Sequence, residues 1–80
     1  MTPGARGPGE FGVVLFRSAQ GALHAERLLL AANVPHKLIP VPRRIASDCG
    51  VCVRFALADR GRVEAALAGH ELGITGWAEL

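Results

Sequence analysis

Aromatic residues and excess charge are both scarce in this 80-residue chain. Aromatic residues make up 5% of it and hydrophobic residues 50%, so any core has to be built mainly from aliphatic side chains. The net charge is only +2, and without a basic run or an RNA-binding aromatic motif the sequence does not predict a nucleic-acid partner. No apolar stretch approaches the ~20 residues of a membrane-spanning helix. The first ten residues, "MTPGARGPGE", lack the apolar centre of a signal peptide. We therefore expect a cytoplasmic protein that does not bind membranes.

Metal ligands are equally few. The chain has two cysteines and three histidines, whereas a structural zinc site needs about four ligands. The histidines do not have the paired spacing of a zinc finger. We therefore expect no metal and no cofactor within one chain, although two chains could share a cysteine-rich site. No Ser-His-Asp order, carboxylate pair or phosphate-binding glycine loop is visible, which favours a carrier or binding module over an enzyme with turnover of its own.

The length of the chain predicts one small domain. Residues 1–10 are rich in Gly and Pro and are predicted to be a disordered leader, and residues 11–80 are predicted to form the domain. A chain this short buries only ~60% of the surface that is exposed when it is unfolded. A second copy would add buried surface, so a homodimer is one expectation.

Hydrophobic periodicity predicts the order β-α-β-β-α-β. Residues 12–17 form an apolar β-branched run, residues 18–33 have helical spacing, and residues 51–57 alternate in the manner of a strand. Residues 36–41 read as a short strand, and Pro40 and Pro42, in it and just after it, favour an edge position, because proline cannot donate a backbone hydrogen bond. A second helix follows Asp59, with His70 expected on its inward stripe, and a last strand contains Trp77, expected on the open sheet face or at a dimer contact.

This order is that of a ferredoxin-like α+β fold, in which two helices cover one face of a four-stranded antiparallel sheet. The face away from the helices is expected to be open and to carry Cys52 and Arg54. The six residues expected to form one core between sheet and helices are Val14, Phe16, Leu29, Val53, Phe55 and Leu67.

Both cysteines lie in one segment, "PVPRRIASDCGVC", which runs from position 40 to position 52. Cys49 and Cys52 form a C-x-x-C motif, whose spacing suits a dithiol redox pair, half of a metal site or a single activated thiol. Redox proteins of the thioredoxin type place this motif before a helix, whereas here a strand follows. In the reducing cytoplasm a structural disulfide is not expected.

The composition around Cys49 favours a reactive thiol. Arg43 and Arg44 precede it in the same loop, and positive charge near a cysteine stabilises the thiolate, which is the nucleophile. Gly50 follows it and has no side chain, so another molecule can approach closely. The alternative is a half-buried cysteine at the start of a strand, with both arginines simply solvated. The spacing alone leaves these two interpretations open.

At this level of detail the sequence resembles a family of small bacterial domains known as selenium/sulfur carrier protein-like. Its pattern is a strand that ends in Phe-x-Ser, a helix with Glu-x-x-Leu, then Pro-x-Pro-Arg, and a Ser-containing stretch before Cys-Gly. The matching positions, which span about residues 12–72, are Phe16, Ser18, Glu26, Leu29, Pro40, Pro42, Arg43, Ser47, Cys49 and Gly50. Ala46 departs from the pattern, since a second Ser is expected there, and Cys52 is not carried over.

The resemblance implies a carrier that holds sulfur or selenium on Cys49 as a persulfide or selenopersulfide. A cysteine or selenocysteine desulfurase-type donor would load it, and an acceptor enzyme would unload it. Two other functions remain open from the residues themselves. One is a regulatory domain that binds a small anion through Arg43, Arg44 and Arg54, and the other is a dithiol redox or metal-binding protein that uses Cys49 and Cys52.

Overall fold

Four strands and two α-helices make up the part of the chain that the computed structural model describes, residues 10–42, 45 and 50–80. The strands are β1 (Phe11–Phe16), β2 (Lys37–Pro40), β3 (Val51–Ala56) and β4 (Ile74–Glu79), and the helices are α1 (Ala19–Ala31) and α2 (Arg60–Leu67). A 3-10 turn, Leu57–Asp59, leads into α2. Of the leader expected over residues 1–10, all but Glu10 lies outside the described residues.

The sheet has the strand order β2-β3-β1-β4, and every neighbouring pair is antiparallel. Residues of both helices share one hydrophobic cluster with β1 and β3, so both helices cover the same face of the sheet. The predicted ferredoxin-like α+β arrangement is thereby confirmed. We call the opposite face of the sheet the far face.

The core between sheet and helices contains all six residues that the periodicity assigned to it. Phe16 and Phe55 are its largest buried side chains, and the Phe55 ring meets Trp77 edge to face, with 5.7 Å between the ring centroids. Trp77 thus packs on the helix side, and its predicted place on the far face is wrong, whereas a dimer contact stays a prediction. Gly73 just before the last strand, Gly76 within it and the irregular register opposite Leu15 and Phe16 make the alternation of this strand hard to read from the sequence.

Helix α1 ends in a way that its sequence dictates. Asn33 adopts the left-handed conformation with φ 58°, its N–H donates to the Leu30 carbonyl, and the Val34 N–H donates to the Leu29 carbonyl at 2.9 Å. These two bonds form a Schellman motif, which satisfies carbonyls that the helix leaves free. Pro35 then prevents the helix from continuing.

Helix α2 is shorter than its pattern suggests. It ends at Leu67, with Gly69 at positive φ soon after. His70 therefore lies beyond the helix and is exposed, so its predicted place on the inward stripe is wrong. Asp59 does stand at the start of the helix, but its side chain makes no capping hydrogen bond and lies instead 3.5 Å from Arg62.

Candidate functional site

The segment with both cysteines is the connection between β2 and β3, which form an antiparallel hairpin. β2 lies at the edge of the sheet, as its prolines predict, and Pro40 pairs with Val51 at the end of the ladder. One residue further on, the Val41 N–H donates to the Gly50 carbonyl at 3.0 Å. This bond closes the base of the loop, so the two ends of the segment are held together by backbone geometry.

Within the loop, Ile45 is attached at two points. Its N–H donates to the Pro42 carbonyl at 2.9 Å, and its side chain packs against a far-face cluster formed by Val13, Leu15 and Cys52. An apolar side chain in an otherwise polar stretch, "PRRIASD", is the signal that could have revealed this anchor. Ile45 itself therefore lies on the far face of the sheet.

Cys52 lies on the far face, as predicted, but it is not open to solvent. It pairs with Leu15 of β1 and with Ile39 of β2, and its exposed fraction is 0%. Partly buried residues from three parts of the chain surround its cluster: Ile39 and Val41, then Ile45, then Ala78 and Leu80. The expectation of an open far face is therefore wrong around Cys52, because these side chains close over it.

Arg54 also lies on β3, but closer to the opposite end of the strand from the loop. Arg54 is four steps along the chain from Gly50, or roughly 13 Å at ~3.3 Å per residue. Its guanidinium lies over the Phe11 ring, 4.5 Å from the centroid. Strand geometry thus places Arg54 away from the base of the loop.

Gly50 stands at the base of the loop in open space. It is exposed, and a Cβ added to it would meet no heavy atom of the described residues within 4 Å. Packing within that part of the chain therefore does not require position 50 to lack a side chain. The surrounding space leaves room for another molecule beside the residue that follows Cys49.

The other predicted site residues, Cys49, Arg43 and Arg44, lie outside the described residues, as does Ser47. Their predicted proximity to one another stays a prediction. Among residues 10–42, 45 and 50–80, no three His, Cys, Asp or Glu side chains are grouped as metal ligands. In the same part of the chain, no helix has the length and apolar character needed to cross a membrane.

The fold and this loop can be compared with known families. The chain matches the family model described as "Putative Se/S carrier protein-like" over residues 11–79. It belongs to this family. The match runs from the first residue of β1 to the last residue of β4, so the Se/S carrier-like assignment covers the whole sheet, both helices and the cysteine loop. No curated protein and no solved structure matches the chain.

Proposed function

We propose that this member of the Se/S carrier-like family holds sulfur or selenium on Cys49 and passes it between two enzymes. The observation that carries the proposal is the family match across the whole fold. The donor is a cysteine or selenocysteine desulfurase-type enzyme, and an acceptor enzyme takes the atom on. The compartment is the cytoplasm, where thiols stay reduced.

The transfer needs only a thiolate at Cys49. That thiolate attacks the outer sulfur of a persulfide on the donor, the S–S bond of the donor breaks, and the donor cysteine leaves as a thiolate. Cys49 then carries the persulfide, so one S–S bond has formed for each one broken and no oxidant or reductant is consumed. Delivery repeats the exchange, with Cys49 as the leaving thiolate, and a selenium atom moves in the same way.

Two features of the described residues support this role. The open space around Gly50 suits a direct approach by the donor, since an exchange between two proteins requires their sulfur atoms to touch. The hydrogen bond between Val41 and Gly50 fixes the end of the loop where β3 begins, and reactive groups work best when a rigid scaffold positions them. Arg43 and Arg44 supply positive charge within the same loop.

The buried state of Cys52 favours a carrier over a dithiol redox protein. A redox pair exchanges its disulfide with a partner, and exchange depends on access to the sulfur that is attacked. Cys52 is 0% exposed and belongs to the far-face cluster. We therefore assign Cys52 a packing role and Cys49 the chemistry.

The test is the mass of the intact protein, measured after incubation with a sulfur or selenium donor. Reduced protein is incubated with an active cysteine desulfurase and cysteine, or with a selenocysteine lyase and selenocysteine, and its mass is then measured without reductant. We expect one added sulfur or selenium atom on the parent protein and on Cys52→Ala, and none on Cys49→Ser. Alanine is the substitution chosen at position 52, because it removes the thiol and adds no polar group at a position that is 0% exposed.

Loss of the adduct in both variants, with folding intact by circular dichroism, would contradict the assignment and point to a dithiol. An unloaded parent protein, beside a control acceptor that the same donor loads, would reject the carrier function. In that case the regulatory domain that binds a small anion through Arg43 and Arg44 becomes the better hypothesis.

A further inference from the structure

A second feature of the molecule is a pocket at the end of β3 that lies away from the cysteine loop. Pairing between β2 and β3 extends only to Lys37 opposite Arg54, so Phe55 and Ala56 continue past the beginning of β2. The pocket opens in this notch and has a volume of about 350 Å³. That volume is at the lower end of the ~300–1,000 Å³ typical of small-molecule sites.

The apolar part of the pocket is formed by Phe11, Pro35 and Phe55. His36 contributes to the wall and is held in place through both ring nitrogens. Its Nδ1 donates to the Val34 carbonyl at 2.8 Å, and its Nε2 lies 3.5 Å from the Glu26 carboxylate. With 7% of its side chain exposed, His36 is a fixed element of the wall.

Two side chains of opposite charge, Arg54 and Asp59, line the same pocket. They do not form an ion pair with each other: within the described part of the chain, Asp59 is paired only with Arg62, at 3.5 Å. The Arg54 guanidinium stacks on Phe11 and donates to no carbonyl or carboxylate of the described residues. The pocket thus offers a cation and an anion that are set apart, above an apolar floor.

The two opposite charges and the apolar floor together limit the kinds of ligand that suit the pocket. A simple anion would be attracted by Arg54 but repelled by the Asp59 carboxylate. A simple cation would be attracted by Asp59 but repelled by Arg54. A ligand that carries both charges at separate atoms satisfies both side chains. A purely apolar ligand would interact with neither charge of the pocket.

We propose that the notch binds a free α-amino acid with an apolar side chain. The ligand carboxylate accepts hydrogen bonds from the Arg54 guanidinium, the ammonium donates to the Asp59 carboxylate, and the side chain rests on Phe11 and Pro35. The site is separate from the thiol loop, because Arg54, the pocket residue nearest to the loop along β3, lies roughly 13 Å from Gly50 at ~3.3 Å per residue. It adds a binding function to the chain and does not depend on the carrier function.

The test is a titration of the ¹⁵N-labelled protein followed by NMR. The probes are L-phenylalanine and L-leucine, and the comparison compounds are 3-phenylpropanoate, which lacks the ammonium, and 2-phenylethylamine, which lacks the carboxylate. We expect saturable shifts of the amides of His36, Arg54 and Ala56 with at least one amino acid. If L-phenylalanine binds, each of these two compounds should bind at least tenfold more weakly than it does. If L-leucine binds, the comparison compounds are 4-methylpentanoate, which lacks the ammonium, and 3-methylbutylamine, which lacks the carboxylate.

Two variants test whether Arg54 and Asp59 bind the two charged groups of the ligand. Asp59→Asn retains a residue that suits the start of a helix, and Arg54→Gln retains a methylene stem over Phe11, so both should fold. Each should weaken binding at least tenfold, whereas Glu64→Gln, which alters an exposed pair outside the pocket, should leave it unchanged.

Three results would overturn the proposal. The first is that neither amino acid gives saturable shifts. The second is that the shifts map to residues away from the notch. The third is that the compounds lacking one charge bind as tightly as the parent amino acid.

Discussion

Replacing Gly21 with alanine tests how closely α1 approaches the segment before β4. Gly21 lies in the first turns of α1, and a Cβ built there would overlap the backbone carbonyl oxygen of Leu72, with Phe16 Cδ2 3.4 Å away. Leu72 is 4% exposed and belongs to the core. Its carbonyl cannot swing aside as the end of a flexible side chain would, so α1 and this segment have to separate.

Two effects of opposite sign decide the outcome. Alanine is favoured over glycine inside a helix by about 1 kcal/mol. Overpacking a well-filled interior costs about 1–3 kcal/mol and occasionally more, and an overlap with backbone belongs at the upper end of that range. We therefore expect Gly21→Ala to lower the free energy of unfolding by about 2 kcal/mol, or the Tm by about 4–8 °C per kcal/mol in a domain of this size.

Gly61→Ala is the matched control. Gly61 lies in α2, and a Cβ there would meet no atom of the described residues within 4 Å. Only the preference of a helix for alanine over glycine then acts, so the variant should be more stable than the parent by about 0.4–1 kcal/mol. Both variants and the parent are compared by urea denaturation followed by circular dichroism. If Gly21→Ala were as stabilising as Gly61→Ala, the close packing of α1 on Leu72 would be refuted.

Three further predictions concern the core and the thiols. Phe55→Ala should cost about 3–5 kcal/mol, since the ring is almost fully buried, and an unchanged melting temperature would reject the assigned strand face. Cys52 should be alkylated at least about a thousandfold more slowly in native protein than in urea. Its exposure requires opening the core, which costs ~5 kcal/mol, and ~1.4 kcal/mol corresponds to a factor of ten in rate. Rapid labelling of Cys52 in the native protein, detected in peptide mass spectra, would contradict its burial. Arg43→Ala should raise the pKa of the Cys49 thiol, measured from alkylation rates across pH, because the arginine charge stabilises the thiolate; equal values in both proteins would remove Arg43 from the chemistry.

The features of the fold that the sequence predicts correctly depend on neighbouring residues. The end of α1 follows from Asn33 and Pro35, and the helix-facing side of β3 follows from the alternation of Val51, Val53 and Phe55. In each case a few adjacent positions determine the backbone. Phe16 and Leu29 likewise mark the core by their spacing alone.

Other features of the molecule are set by contacts between distant segments, which local patterns do not predict. Cys52 looks solvent-facing in its own strand, and only side chains from β2, the loop and β4 make it buried. The notch at the end of β3 depends on where β2 begins to pair, so neither Phe11 nor Asp59 could be linked to it by spacing. In the loop between β2 and β3, the structure gives the positions of Ile45 and Gly50. The roles of Arg43 and Cys49 stay predictions from the motif.

The central position of β1 has a consequence for how the protein is made. β1 leaves the ribosome before β4, one of its two partners, because both helices and the other two strands lie between them in the chain. Until β4 emerges, one edge of β1 has no strand to pair with and the core lacks Ile74 and Trp77. Native pairing of the sheet is therefore completed only after β4 has been synthesised, and a nascent chain stalled before residue 74 should be as sensitive to protease as an unfolded one.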